Sequence, residues 1–479
     1  MLRATDHLAY LTADTPGTGG LIKVRPEDFL VDEQPLYQAC GEGEHLYLFI
    51  EKREQTTTDV QRRLAKMFGV RRSDVAYAGL KDKHAITRQH FSIYLPDKSR
   101  DKLAERIQFT KFKLLWAARH TNKLRKGHLA GNRFVIRIRQ IDPSAVLHAK
   151  RILDRVAAIG APNYIGDQRF GYRQTNQWLG KHLVKGEWKA LLDELLGRAG
   201  PHDPPIRGVA RRLYEEGHYG EALKRWARMF RHDRQALDAL RQGKSHQEAV
   251  MAIDPVQREF MISSLQSAVF NEVLHHRIRR GFFDTIVAGD LAWKHDSRAV
   301  FAVDEATAAL ENAPGGRMSR LELSPSGPMW GRGMIRAAGQ VEAWEREPLA
   351  DFGLTAEEVC NSPGGAHGPG SVEGTRRPMR IIIKDHDISG GVDEHGSFVR
   401  VAFELPRGCF ATMVLREVMK PCRDAPHKPS HVNDTEPSAA TAGAADSASL
   451  SHEAERPDDD SDGDGLSENE RAMLDGGEE

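Results

Sequence analysis

The sequence predicts an α+β protein: a mixed, largely antiparallel sheet with helices, interrupted by a helix-rich insertion and followed by a disordered acidic tail. Three observations carry this. The first half opens as strand, helix, strand and continues with further short strands. Helical patterning takes over from about Trp178, and strands resume at Met379. From Pro421 onward Asp, Glu, Ser, Ala and Gly dominate, as in Asp458-Asp459-Asp460-Ser461-Asp462, leaving too little apolar surface to offset ordering entropy. A chain of 479 residues exceeds one compact core, and the predicted divisions are 1–162, 163–371, 372–420 and 421–479.

In chain order, two short apolar runs at 21–24 and 29–33 are split by Pro26-Glu27-Asp28, with the proline at an edge or bend. In 45–50, Leu46, Leu48 and Ile50 share one strand face and Tyr47 and Phe49 the other, so both faces are covered. Thr56-Thr57-Thr58-Asp59 caps a helix with Val60, Leu64, Met67 and Phe68 at helical spacing. Further strands are expected at 90–95, 111–116 and from Phe134, where Phe134, Ile136 and Ile138 alternate with Val135, Arg137 and Arg139. Val146, Ala149, Leu153 and Val156 mark a helix that ends at Gly160. Helices follow at 190–196, 219–230 and, opened by Asp254-Pro255, to about 280. Residues 323–331 read as a loop and 363–374 as a glycine-rich return linker. Strands at 379–384 and 398–405 lead through a glycine turn into a last helix at Phe410-Ala411-Thr412, whose N-terminus could receive a phosphate or an anionic intermediate.

Formal neutrality hides a partition of charge. Residues 421–479 hold 4 of the 68 Lys and Arg but 16 of the 68 Asp and Glu, so residues 1–420 are basic by 12 and suit a polyanionic partner. Cys40, Cys360, Cys409 and Cys422 form no Cys-x-x-Cys pair and read as reduced thiols of a cytosolic protein. No apolar run is long enough for a membrane span, and neither a glycine phosphate loop nor a His-Glu-x-x-His metal motif occurs. No membrane partner and no metal are expected. Without a heptad or exposed apolar stripe, a monomer is expected.

The candidate chemistry centres on Val75-Ala76-Tyr77-Ala78-Gly79-Leu80-Lys81-Asp82-Lys83-His84-Ala85. An apolar strand stops at Gly79 and delivers one carboxylate between two lysines, which should keep Asp82 ionised. The most basic stretch, 119–134, ends in Gly131-Asn132-Arg133-Phe134. Its cations suit phosphates, Asn132 could read a base edge, and Phe134 could stack on a base or simply join the core. The segment from Pro162 to Arg173, dense in Gly, Asn, Gln, Arg and aromatics, is either a loop meeting a ligand or a fixed junction between domains.

Together, Pro26-Glu27-Asp28-Phe29, Gly41-Glu42-Gly43-Glu44-His45, Gly79-Leu80-Lys81-Asp82-Lys83-His84, Gly131-Asn132-Arg133-Phe134, Asn163-Tyr164-Ile165-Gly166 with Gln168-Arg169-Phe170-Gly171, and Phe410-Ala411-Thr412 resemble the TruD family of tRNA pseudouridine synthases. The resemblance implies a pseudouridine synthase catalytic domain carrying an inserted TRUD domain. It also implies tRNA in the cleft between them, uridine 13 of the D arm as target, no cofactor, and Asp82 as the catalytic residue. Carried over motif by motif, Lys23 would stand beside the nucleophile, and Phe29, Asn132, Phe134 and Phe410 would contact substrate. Ile165, where the family usually has an aromatic, and Asp167 depart from the pattern. A non-catalytic RNA-binding or RNA-chaperone protein on the same scaffold, or a nucleoside hydrolase, would share these residues.

Overall fold

The computed structural model describes residues 4–200, 203, 205–360 and 373–421; the predicted return linker and acidic tail lie outside them, apart from the linker's last two residues and Pro421. Its principal sheet has nine strands: β1 (Phe29–Pro35), β2 (His45–Arg53), β3 (Val75–Tyr77), β4 (Ile86–Tyr94), β5 (Gln108–Phe109), β6 (Phe112–His120), β7 (Leu129–Arg139), and, far along the chain, β14 (Lys384–Asp393) and β15 (Gly396–Pro406). The order is β14-β15-β7-β1-β4-β2-β6-β5, with β3 also on β4. Only β1 and β4 run parallel; the other pairings are antiparallel, as the short varied connections predicted.

Helix α1 (Thr57–Met67) lies between β2 and β3. Thr56 caps it by accepting from the Asp59 amide, and Val60, Leu64 and Phe68 are buried against β2 and β4. Helix α2 (Val146–Ile159) ends at Gly160, whose φ of 87° only glycine adopts without strain. A two-residue strand β8 (Ala161–Pro162) pairs with β13 (Arg380–Ile381), so the chain leaves the sheet region and re-enters it at one place.

Between them the chain forms helices α3 (Asn176–Lys185), α4 (Trp188–Leu196), α5 (Pro205–Glu215), α6 (Tyr219–Arg225), α7 (Arg231–Arg241), α8 (His246–Met251) and α9 (Pro255–Arg279). Strands β9 (Leu291–Lys294) and β10 (Val300–Ala302), helix α10 (Glu305–Asn312), strand β11 (Leu323–Met329), helices α11 (Gly339–Asp351) and α12 (Ala356–Cys360), and strand β12 (Thr375–Pro378) complete it. Three expectations are corrected. Residues 323–329 are a buried strand of a four-stranded sheet, β10-β9-β11-β12, not a loop. The helix expected over 219–230 stops at Arg225, where Arg234 donates to the carbonyls of Leu223 and Trp226 and closes the helix end. The strand expected over 379–384 is only β13, and the long strand is β14.

One apolar cluster unites these parts. Phe134 and Ile136 of β7, Val401 and Phe403 of β15 and Val414 of α13 (Ala411–Met419) pack with Leu265, Val269 and Phe270 of α9. The N-terminal segment is strapped over α13: Glu417 accepts from the amides of Leu11 and Thr12 and from the Thr12 hydroxyl, while Arg416 donates to the carbonyls of Thr5, Leu8 and Ala9.

Candidate active site

The site grows from a gap in the sheet. On one edge of β4, β1 pairs with residues 86–88 and β3 with residues 91–93, so neither strand pairs with residues 89 and 90. The loop 78–85 crosses this gap. Gln89 donates to the Gly79 carbonyl at 2.6 Å, and Glu33, the β1 residue just past the β1–β4 pairing, accepts the His90 amide at 3.0 Å in place of a ladder bond. The hydroxyl of Thr57, first residue of α1, donates to Gln89 and accepts the Lys81 amide, both at 3.0 Å.

Asp82 is thereby held at the open end of the sheet with its side chain 38% exposed, and Nζ of buried Lys23 stands 3.3 Å from its carboxylate. Lys23 sits in the left-handed region, φ 56°, and its ammonium lies 4.8 Å from the Phe29 ring centre. Phe29 meets Phe134 edge to face at 6.4 Å, and Phe134 meets Phe403 at 5.8 Å. Asp82, Lys23, Phe29 and Phe134 thus form one contact chain. Asn132 lies on the same face of β7 as Phe134, directly opposite Glu33 of β1 and Leu405 of β15. Its side-chain oxygen is buried without a hydrogen-bond partner, a costly state unless a donor is supplied. Phe410 has no ring contact with this group. It follows the turn that β15 makes after passing Asn132, and is the half-buried N-cap residue of α13.

The cations differ from expectation. Lys81 turns away from Asp82 and pairs with buried Glu33 at 2.6 Å, while His90 Nδ1 lies 3.1 Å from the other Glu33 oxygen. Burial acts to raise the Glu33 carboxyl, but the Lys81 charge and the His90 hydrogen bond outweigh it and leave it below its ordinary range. Lys52, buried on β2, donates to the Gln55 carbonyl at 2.7 Å and the Asp82 carbonyl at 3.1 Å; burial pulls its ammonium down to about 7 against the attraction of Asp82. In the basic stretch, Arg119 is internal, paired with Asp101 and bonded to the Leu95 carbonyl, so it is unavailable to a phosphate. Lys123, Arg125 and Lys126 are exposed, on a loop tied to the site by the Gly127 amide donating to the Ala78 carbonyl at 2.7 Å.

A family model for tRNA pseudouridine synthase D (TruD) matches residues 7–418. The chain belongs to the TruD family. It is 39% identical over 421 residues to the tRNA pseudouridine synthase D of Geobacter sulfurreducens, covering 88% of this chain and 98% of that one. To the Thermus thermophilus protein of the same name it is 37% identical over 411 residues, covering 86% and 92%. A crystal structure described as a tRNA pseudouridine synthase D (TruD) from Methanosarcina mazei shares the fold, with a TM-score of 0.74, 27% identity and coverage of 88% and 98%.

Within this TruD chain, Glu33, His90 and Lys52 were missed by sequence reasoning because each looks like an ordinary strand residue until the gap at residues 89–90 is known. The segment 163–171 is held between β12 and α9: the Asn163 side-chain amide donates to the Pro378 carbonyl, and Asn271 of α9 accepts the Ile165 amide and donates to the Ile165 carbonyl. Among the described residues, Glu272, His275 and His276 are the only group placed to hold a metal. Nδ1 of His275 already accepts the Ala9 amide at 2.8 Å, which puts the ring proton on Nε2, and His7 occupies Glu272 at 2.5 Å. No described helix is long and apolar enough to cross a membrane.

Proposed function

We propose that this chain isomerises uridine to pseudouridine in tRNA, at position 13 of the D arm, with Asp82 as the catalytic carboxylate. The observation that supports it most is the pairing of a partly exposed Asp82 with buried Lys23, beside the Phe29–Phe134 pair and an Asn132 oxygen that lacks a donor. The names of the relatives point to the same substrate. In this reaction the N1–C1′ bond breaks, the uracil turns over, C5 joins C1′, and the C5 proton is exchanged for one on N1. One ionised carboxylate can drive it by attacking C1′ or by removing the C2′ proton.

The roles follow from position. Lys23 pairs with the Asp82 carboxylate, the Asn132 oxygen accepts the uracil N3–H, and the rings of Phe29, Phe134 and Phe410 bound the extruded base. The catalytic unit is 1–162 with 372–420, the inserted TRUD unit is 163–371, and tRNA lies between them. The chain acts as a monomer and needs neither metal nor cofactor.

Asp82→Asn tests the reading. Unmodified tRNA transcript should bind with unchanged affinity, and pseudouridine mapping at position 13 should show formation lowered at least 10³-fold, within the range for loss of a general base or nucleophile. Pseudouridine formed at the wild-type rate by Asp82→Asn, or free uracil as product, would sink it.

A further inference from the structure

Where the chain leaves β1, a recess opens that the proposed reaction does not use. It is lined by Leu36, Tyr37, His90, Trp116, Leu124 and His128, and its cavity of about 10 Å³ has room for one water-sized group. Leu36 and Tyr37 line it while remaining 53% and 36% exposed. The Tyr37 ring is already oriented. It stacks on His120 at 5.0 Å, and its hydroxyl lies 3.3 Å from that of Tyr47, which donates to the Asn122 carbonyl at 3.0 Å.

His90 supplies the polar atom. The residue is 5% exposed, its ring stacks on Phe49 at 4.4 Å, and the Glu33 carboxylate accepts from Nδ1, so the neutral ring carries its lone pair on Nε2. Among the described residues no hydrogen bond reaches Nε2, and a buried acceptor without a donor is costly. The cavity is too small for a ring but admits a group projecting from one, so the fitting donor is an exocyclic amine, which adenine, cytosine and guanine carry and uracil lacks. The loop that brings Leu124 and His128 to the recess also carries exposed Lys123, Arg125 and Lys126. An exposed ring beside cations suits single-stranded RNA. The recess is joined to the Asp82 loop: Tyr47 and Leu124 pack with Ala78, the Gly127 amide donates to the Ala78 carbonyl at 2.7 Å, and Glu33 takes His90 on one oxygen and Lys81 on the other.

We propose that this recess is a second nucleobase subsite, taking an adenine, cytosine or guanine near the target uridine, with the exocyclic amine donating to His90 Nε2 and the ring lying on Tyr37 and Leu36. This rests on the proposed action on tRNA and extends it to the sequence around the target. A base seated here is registered against the loop that carries Asp82, so the recess helps to select which uridine reaches the carboxylate.

The test measures binding of unmodified tRNA transcript across a salt series for the full-length wild type, Tyr37→Ala and Tyr37→Phe, each first shown to melt like wild type. A second panel replaces each unpaired A, G or C of the transcript, one at a time, by purine riboside, inosine or pyrimidin-2-one riboside, which lack the amine. Tyr37→Ala should bind at least about 5-fold more weakly, the lower end for one stacked base, with the log–log salt slope unchanged because no phosphate contact is lost. Tyr37→Phe keeps the ring and should bind like wild type. At one position, loss of the amine should weaken wild type by about 2- to 10-fold, as for one hydrogen bond, and should cost Tyr37→Ala nothing further. Wild-type affinity in Tyr37→Ala would mean that the recess holds a water only. That result, a shallower slope, a Tyr37→Phe as weak as Tyr37→Ala, or a panel in which no lost amine matters would each overturn the subsite. The panel on wild type needs no variant, so it decides even where a substitution impairs folding. The two readings separate, because the subsite is judged by binding and the reaction by pseudouridine formed by wild type.

Discussion

At the residue scale, the arrangement turns on Glu33. Its carboxylate replaces a missing rung of the β1–β4 ladder and neutralises Lys81, so it shapes the loop that presents Asp82. Glu33→Gln leaves a buried ammonium without its counter-ion, and urea unfolding should show a loss of about 3–5 kcal/mol. Lys52 supplies a pH signature. Its folded pKa of about 7 lies below the unfolded 10.5, so the unfolded chain binds the extra proton between those values and this group makes stability rise with pH over that window. Lys52→Met should remove the rise, and denaturant midpoints at pH 6.5 and 9 should therefore diverge less in the variant than in wild type. The Asp82 loop was legible in sequence because Gly-Leu-Lys-Asp-Lys ends an apolar run. Which lysine serves the carboxylate was not legible in the local pattern, which pointed to Lys81 and Lys83; the family resemblance alone pointed to Lys23, which lies 59 positions away and arrives through tertiary pairing.

At the element scale, the elements read correctly are those whose local chemistry and burial agree. Helix α1 has its cap, its spacing and its buried face all in one stretch. Thr56→Ala removes the cap and should cost about 1 kcal/mol, measured by chemical denaturation, and should loosen the Lys81 amide that the next residue holds. Strand β11 was hidden because Leu-Ser-Pro-Ser-Gly-Pro-Met carries two prolines and no alternation. It exists because it changes partner midway, pairing with β9 through Pro325 and with β12 from Ser326. Strand β14 was hidden for the opposite reason: it is a solvated edge, polar and glycine-bearing, with little apolar signal. Gly131 shows how tightly β7 and β15 approach. A methyl there would sit 2.2 Å from the Leu405 carbonyl oxygen, so Gly131→Ala should destabilise the fold and displace Asn132, with pseudouridine formation falling more than tRNA binding.

At the scale of the whole molecule, the charge partition and the shared core each have a measurable consequence. The basic excess of residues 1–420 predicts that tRNA affinity falls linearly on a log–log plot against salt. Because α9 packs into the same cluster as β7, β15 and α13, the sheet and the long helix should unfold together. Far-ultraviolet dichroism and tryptophan fluorescence should then give coincident thermal transitions, and two separated transitions would contradict that coupling. The α+β class and the helical excursion were legible because hydrophobic period changes along the chain; the common core was not, since it is assembled from positions hundreds of residues apart.

The pairing of β7 with β15 also sets a schedule for synthesis. Strand β7 ends at Arg139 and β15 begins at Gly396, so at about 5–20 residues per second a ribosome needs tens of seconds to deliver the missing neighbour. Throughout that interval the nascent chain carries an uncovered strand edge bearing Asn132 and Phe134, which makes this the stage at which holding chaperones matter most to its yield.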